Sequence, residues 1–68
     1  MDAKAEIDVV AARLLRDVPD IPDPIAGAAM LIALREHEKD FPGEGMTEPV
    51  MFLEAGRLME SAGYSDLA

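Results

Sequence analysis

The sequence predicts an all-α fold, a small three-helix arrangement with a central apolar helix, and three observations carry that prediction. Apolar residues recur at helical spacing in three segments. Those segments are separated by short connections rich in Pro, Gly and Asp. No stretch alternates apolar and polar residues as a half-buried strand would. The 68 residues form one small helical domain, with helices over about 2–17, 24–40 and 48–62.

In the first segment Ile7, Val10, Leu14 and Val18, with Ala3 and Ala11, fall on one face. Asp2, Glu6 and Asp8 come early and Arg13 and Arg16 late, the order the helix dipole favours. Val9, Ala5 and Ala12 make a weaker stripe roughly opposite. Pro19 and Pro22 then push the residues before them out of the α region and end the helix.

Asp23-Pro24 opens the second segment, with Asp23 as N-cap and Pro24 at the first helical position. The run IAGAAMLIAL follows, ten residues without a charge. Ile25, Ala29 and Ile32 define one face of it, and Gly27, Met30, Leu31 and Leu34 another. A helix apolar all round has to be covered on more than one side. The other two helices, or one of them and a second copy of the chain, are the available covers. A homodimer is therefore expected, with Gly27, Met30, Leu31 and Leu34, and Val9 of the first helix, as its interface. Phe41-Pro42-Gly43 closes the segment.

Thr47 is placed as the third N-cap, with Pro49 tolerated in the first turn. Met51, Ala55, Leu58 and Ala62 line the apolar face, widened by Phe52 and Met59, with Glu54, Arg57 and Ser61 opposite. Gly63 stands where a left-handed cap belongs, and Tyr64 is expected to fold back on the last turn. The tail Ser65–Ala68 is expected to be loose.

Composition narrows the function classes. Absent cysteine excludes disulfides and thiolate metal sites. The longest apolar run is about half of the ~20 residues a membrane span needs, and the acidic N-terminal stretch has no basic region of a secretory leader. No membrane association is expected, and the chain is read as cytoplasmic. The formal net charge is −8, which disfavours phosphate contacts and hence direct nucleic-acid binding, while drawing basic partners.

Catalytic and cofactor chemistry finds little footing. His37 has Asp40 as its sole ligand-type neighbour on its own helix face, short of the three or four ligands zinc takes. Asp17, Asp20 and Asp23 recur every third residue, out of register with a calcium loop. Ser61, Ser65 and Thr47 are the hydroxyl candidates, and nothing in the sequence brings the histidine to one of them as a base. Carboxylates are plentiful, but acid–base work needs them in a pocket, and so small a bundle is expected to leave little room for one. An acyl carrier comparison fails because its Asp-Ser-Leu motif opens an internal helix, whereas Ser65-Asp66-Leu67 has a different order and stands late in the chain. No cofactor and no enzyme activity is expected.

Binding to another protein remains. Asp17, Asp20 and Asp23 crowd the first connection, and Glu36, Glu38, Asp40, Glu44 and Glu48 surround the second. With antiparallel helices these form two acidic poles. They are the candidate surface for a partner with a basic face, alongside the apolar dimer surface. The expected function is a small acidic interaction or regulatory module without catalysis. One alternative is an inhibitor that mimics nucleic acid and blocks a DNA- or RNA-binding protein. A second is a dimeric helix-turn-helix regulator or antitoxin, and a third an accessory subunit of a larger enzyme. Against the second, the third helix brings Glu48, Glu54 and Glu60 against a single Arg57.

Overall fold

The computed structural model describes residues 2–64, so the expectation of a loose tail at 65–68 lies outside the described residues. Three helices follow in order: α1 (Ala3–Asp17), α2 (Pro24–Asp40) and α3 (Glu48–Ser61). Among the described residues there is no strand, and no helix is long and apolar enough to cross a membrane.

Local rules set the helix ends. Asp2 and Asp23 cap α1 and α2, accepting the amides of Ala5 at 2.8 Å and Ala26 at 3.1 Å. Val18, Asp23 and Phe41 each precede a proline, and all three have left the helical region, with φ between −131° and −144°. Thr47 occupies the third cap position, but its hydroxyl makes no capping bond, so there the chain supplies the shape without the side-chain contact. At the other end of α3, Gly63 takes φ +96°. Its amide donates to the Glu60 carbonyl at 3.1 Å and the Tyr64 amide to that of Met59 at 2.8 Å, satisfying carbonyls the helix leaves open.

Helices α1 and α3 each pack broadly against α2 and barely against each other. Ile7 and Ala11 of α1 bury against Ala28 and Ile32, while Ala55 and Met59 of α3 bury against Ala29. The central helix is thus covered on two faces by its own chain. Arg35 late in α2 pairs with Glu6 early in α1, and a Cβ on Gly27, early in α2, would stand 3.2 Å from Leu14, late in α1. These two helices therefore run antiparallel.

The buried set is Ile7, Ala11, Ala28, Ala29, Ile32, Ala33, Ala55 and Met59, so alanine dominates the interior. Alanine lets helix axes approach closely, yet it buries little: about 0.8 kcal/mol per carbon, against roughly 1.5–3 for a whole Leu or Ile. Several large apolar side chains lie outside, while Val10, Leu14, Ile25 and Leu58 pack partly buried against the core. Val18, expected on the inner face of α1, is exposed at its C-cap, because the chain leaves the helix one residue before Pro19. Phe52, expected to widen the core, is 52% exposed beside Leu53 at 56%.

Candidate functional site

The acidic residues singled out in the sequence, Asp17, Asp20, Asp23, Glu36, Glu38, Asp40, Glu44 and Glu48, are all exposed. They divide between the two ends of α2. Two of them already have intramolecular work. Asp23 caps α2, and Glu38 accepts the Gly43 amide at 3.2 Å, holding the turn that follows the helix. Glu36 meets Lys39 at 3.5 Å, an exposed pair of little energetic weight.

The apolar candidates part company. Leu31 and Leu34 are open to solvent, at 47% and 37%, and Met30 is half-buried against the Ala29 cluster. Gly27 instead faces its own chain, where an added Cβ would meet Leu14 at 3.2 Å and Ile21 at 3.3 Å. Its missing side chain serves the α1–α2 approach. Val9 is exposed as expected, but it lies about 200° around α1 from Ile7 and so faces away from α2.

Two grooves flank α2, more open volume than so small a chain was expected to leave. The first, about 380 Å³, lies between the C-terminal half of α2 and the start of α3. Its floor is Ala33, Phe41, Met46, Val50 and Leu58, and Glu36, His37, Asp40 and Glu54 stand around it. The His37 ring is tilted against Phe41 with centroids 5.0 Å apart. Glu54, read from periodicity as a residue of the solvent side, is half-buried here and meets Arg57 at 3.5 Å. The groove holds no serine, threonine or tyrosine hydroxyl to act as nucleophile. Among the described residues no three His, Asp or Glu side chains gather closely enough to hold a metal ion. The second groove, about 300 Å³, is lined by Val10, Leu14, Leu31 and Ile32, with Arg13, Arg35 and Asp17 at its edges.

Sequence reasoning missed one polar cluster. The Tyr64 hydroxyl donates to Asp8, Lys4 donates to the same carboxylate at 3.0 Å, and the Lys4 ammonium lies 5.2 Å from the Tyr64 ring centre. This clasp ties Tyr64, three residues beyond the end of α3, to the first half of α1. The Tyr64 hydroxyl, and then Lys4, hold the Asp8 carboxyl below its usual range. Bonding to Asp8 raises both the Tyr64 phenol and the Lys4 ammonium. Lys4–Asp8 was visible as an i, i+4 pair, but nothing local pointed from Asp8 to Tyr64.

Set against protein-family models, curated proteins and solved structures, the chain matches none.

Proposed function

We propose that this chain is a non-catalytic, acidic helical module that binds another protein through apolar side chains framed by carboxylates. The observation that carries this reading is the inverted distribution of size. Five of the eight buried residues are alanine, while Leu31, Leu34, Phe41, Val50, Phe52 and Leu53 are 37–56% exposed. Scattered exposed apolar residues need no explanation, but several large ones around a core of small residues leave part of the available hydrophobic free energy unused by the monomer. Association is the route by which it is used. Leu31 and Leu34 stand exposed on α2, Leu31 beside the groove that helix forms with α1, which also makes this ridge the seat for a second copy; Gly27 has no part in it. The charge of −8 selects basic partners and disfavours nucleic acid.

Imitation of nucleic acid is a stronger form of the same reading, supported by the exposed carboxylates at both ends of α2. It requires steeply salt-dependent binding to a nucleic-acid-binding protein and none to DNA. A groove-reading role for α3 has less support, since the helix sets Glu48, Glu54 and Glu60 against a single Arg57.

The test is a photo-crosslinking residue placed at position 34 and, as a control, at the exposed Glu60, in the cell that makes the protein. Light scattering of the purified chain at several concentrations accompanies it. Adducts to one species, or to a second copy, from position 34 and not from position 60 support the reading. Equal labelling from both, or none together with a strict monomer, overturns it.

A further inference from the structure

We infer that the groove between α2 and α3 is a docking slot for a basic, apolar segment of a partner protein, one that seats a large apolar side chain on the floor and brings Lys or Arg to the rim. This rests on the interaction-module reading and names the chemistry of the partner at one place. Charge complementarity picks the occupant. Carboxylates come from both walls, Glu36 and Asp40 from α2 and Glu54 from α3, over a floor that includes Phe41 and Val50. An anionic ligand would meet all three, and a purely apolar one would leave the rim unmatched. The cations nearest these acids are held loosely: Lys39 and Arg57 each sit 3.5 Å from their partner in exposed pairs, and Asp40 makes no ion pair among the described residues. A partner's guanidinium or ammonium can replace them at little cost.

Size narrows the occupant further. At about 380 Å³ the groove is at the small end of ligand-binding cavities. It takes one or two large side chains and not a whole helix. The α2 wall from 33 to 41 is about 12 Å long, the rise of roughly two helical turns. Apolar anchors three or four residues apart on a partner helix would span it, as in other helix-in-groove complexes. The groove on the other side of α2 sets arginines, Arg13 and Arg35, at its edges and lacks this match.

The probe is a fluorescent peptide of about 12 residues with Leu at helical spacing and Lys elsewhere; a second peptide carries Glu in place of Lys. Each is titrated into the 68-residue chain, followed by anisotropy and by amide NMR shifts. A basic peptide is drawn to any acidic protein, so two double variants of equal charge are compared. Glu36→Gln with Asp40→Asn neutralises the rim, and Asp17→Asn with Asp20→Asn neutralises the far end of α2. The rim variant is expected to weaken the Lys peptide at least about fivefold and the far variant less than about twofold. Val50→Ser, at an already exposed position, weakens it and Leu31→Gln does not. Shifts gather in residues 33–41 and 46–58, and the Glu peptide does not bind. Equal losses from the two double variants, shifts centred elsewhere, or no binding of the Lys peptide overturn the slot. If position 34 still captures a partner in the cell, the module reading survives that failure; if it captures nothing and the chain is a strict monomer, the module reading fails separately.

Discussion

Replacing Gly56 by alanine should make this protein more stable, and the size of the gain follows from where that glycine sits. Gly56 lies inside α3 with an ordinary helical backbone, and a Cβ added there meets nothing within 4 Å. The substitution therefore adds no clash and fills no cavity. What remains is the intrinsic preference of the helix for Ala over Gly, about 0.8–1 kcal/mol, much of it from restricting the unfolded chain. A chain this size has a total stability of roughly 3–10 kcal/mol, so the increment is a sizeable fraction. Thermal unfolding followed by circular dichroism should show Tm rising by about 4–8 °C. In urea the midpoint should move up with its slope unchanged. Two other glycines serve as internal controls. Gly63 sits at φ +96°, where an L side chain costs about 1–2 kcal/mol, so Gly63→Ala should lower Tm. Gly27→Ala gains the same helical preference but must push Leu14 and Ile21 aside, and it should fall below Gly56→Ala. A fall in Tm for Gly56→Ala would refute the reasoning. A fall that deepens with protein concentration would show that another chain covers this face of α3.

Three further outcomes follow from the capping, the clasp and the core. Asp23→Ala should cost about 1 kcal/mol of stability through loss of its bond to the Ala26 amide, whereas Thr47→Ala, with no such bond to lose, should change the urea midpoint little. The clasp should be pH-dependent in both directions. Asp8 is lowered in the folded state, so its contribution is present above the usual aspartate value and lost as pH falls through the folded one; Tyr64 and Lys4 are raised, so theirs is lost as pH rises through their folded values. The stability difference between wild type and Tyr64→Phe should therefore be level between about pH 4 and about pH 10 and shrink outside that window, and a difference constant at every pH would count against the clasp. Ile7→Ala removes the largest fully buried side chain and should cost about 2–5 kcal/mol, enough to leave much of the population unfolded at 37 °C by circular dichroism.

The identity and placement of the helices were legible in the sequence because they depend on near neighbours in the chain. Pro24 after Asp23, Pro42 after Phe41 and Gly63 before Tyr64 each act on the residue beside them. The bounds of α2 come out as read, and α1 and α3 differ only in that Asp2 and Ala62 are caps and not helical residues. The candidate site was legible in part. Glu36 and Asp40 were singled out as acids of the second connection, but Glu54 was assigned to the solvent side, because its place in a groove depends on how α3 lies against α2. Gly27 was assigned to the dimer face, whereas the space its missing side chain leaves lies against Leu14 and Ile21 of its own chain.

The sequence by itself determined three helical rods, their ends, and an acidic composition with a formal net charge of −8. The tertiary structure alone decided which apolar faces meet. A periodic stripe reports that a face is apolar, and α2 has such faces all round, so the stripe cannot choose among them. The choice is made by competing packings, in which the closest approach of helix backbones wins. Alanine permits that approach at Ala28, Ala29, Ala33 and Ala55, and Leu31, Leu34, Leu53, Phe41 and Phe52 are left outside.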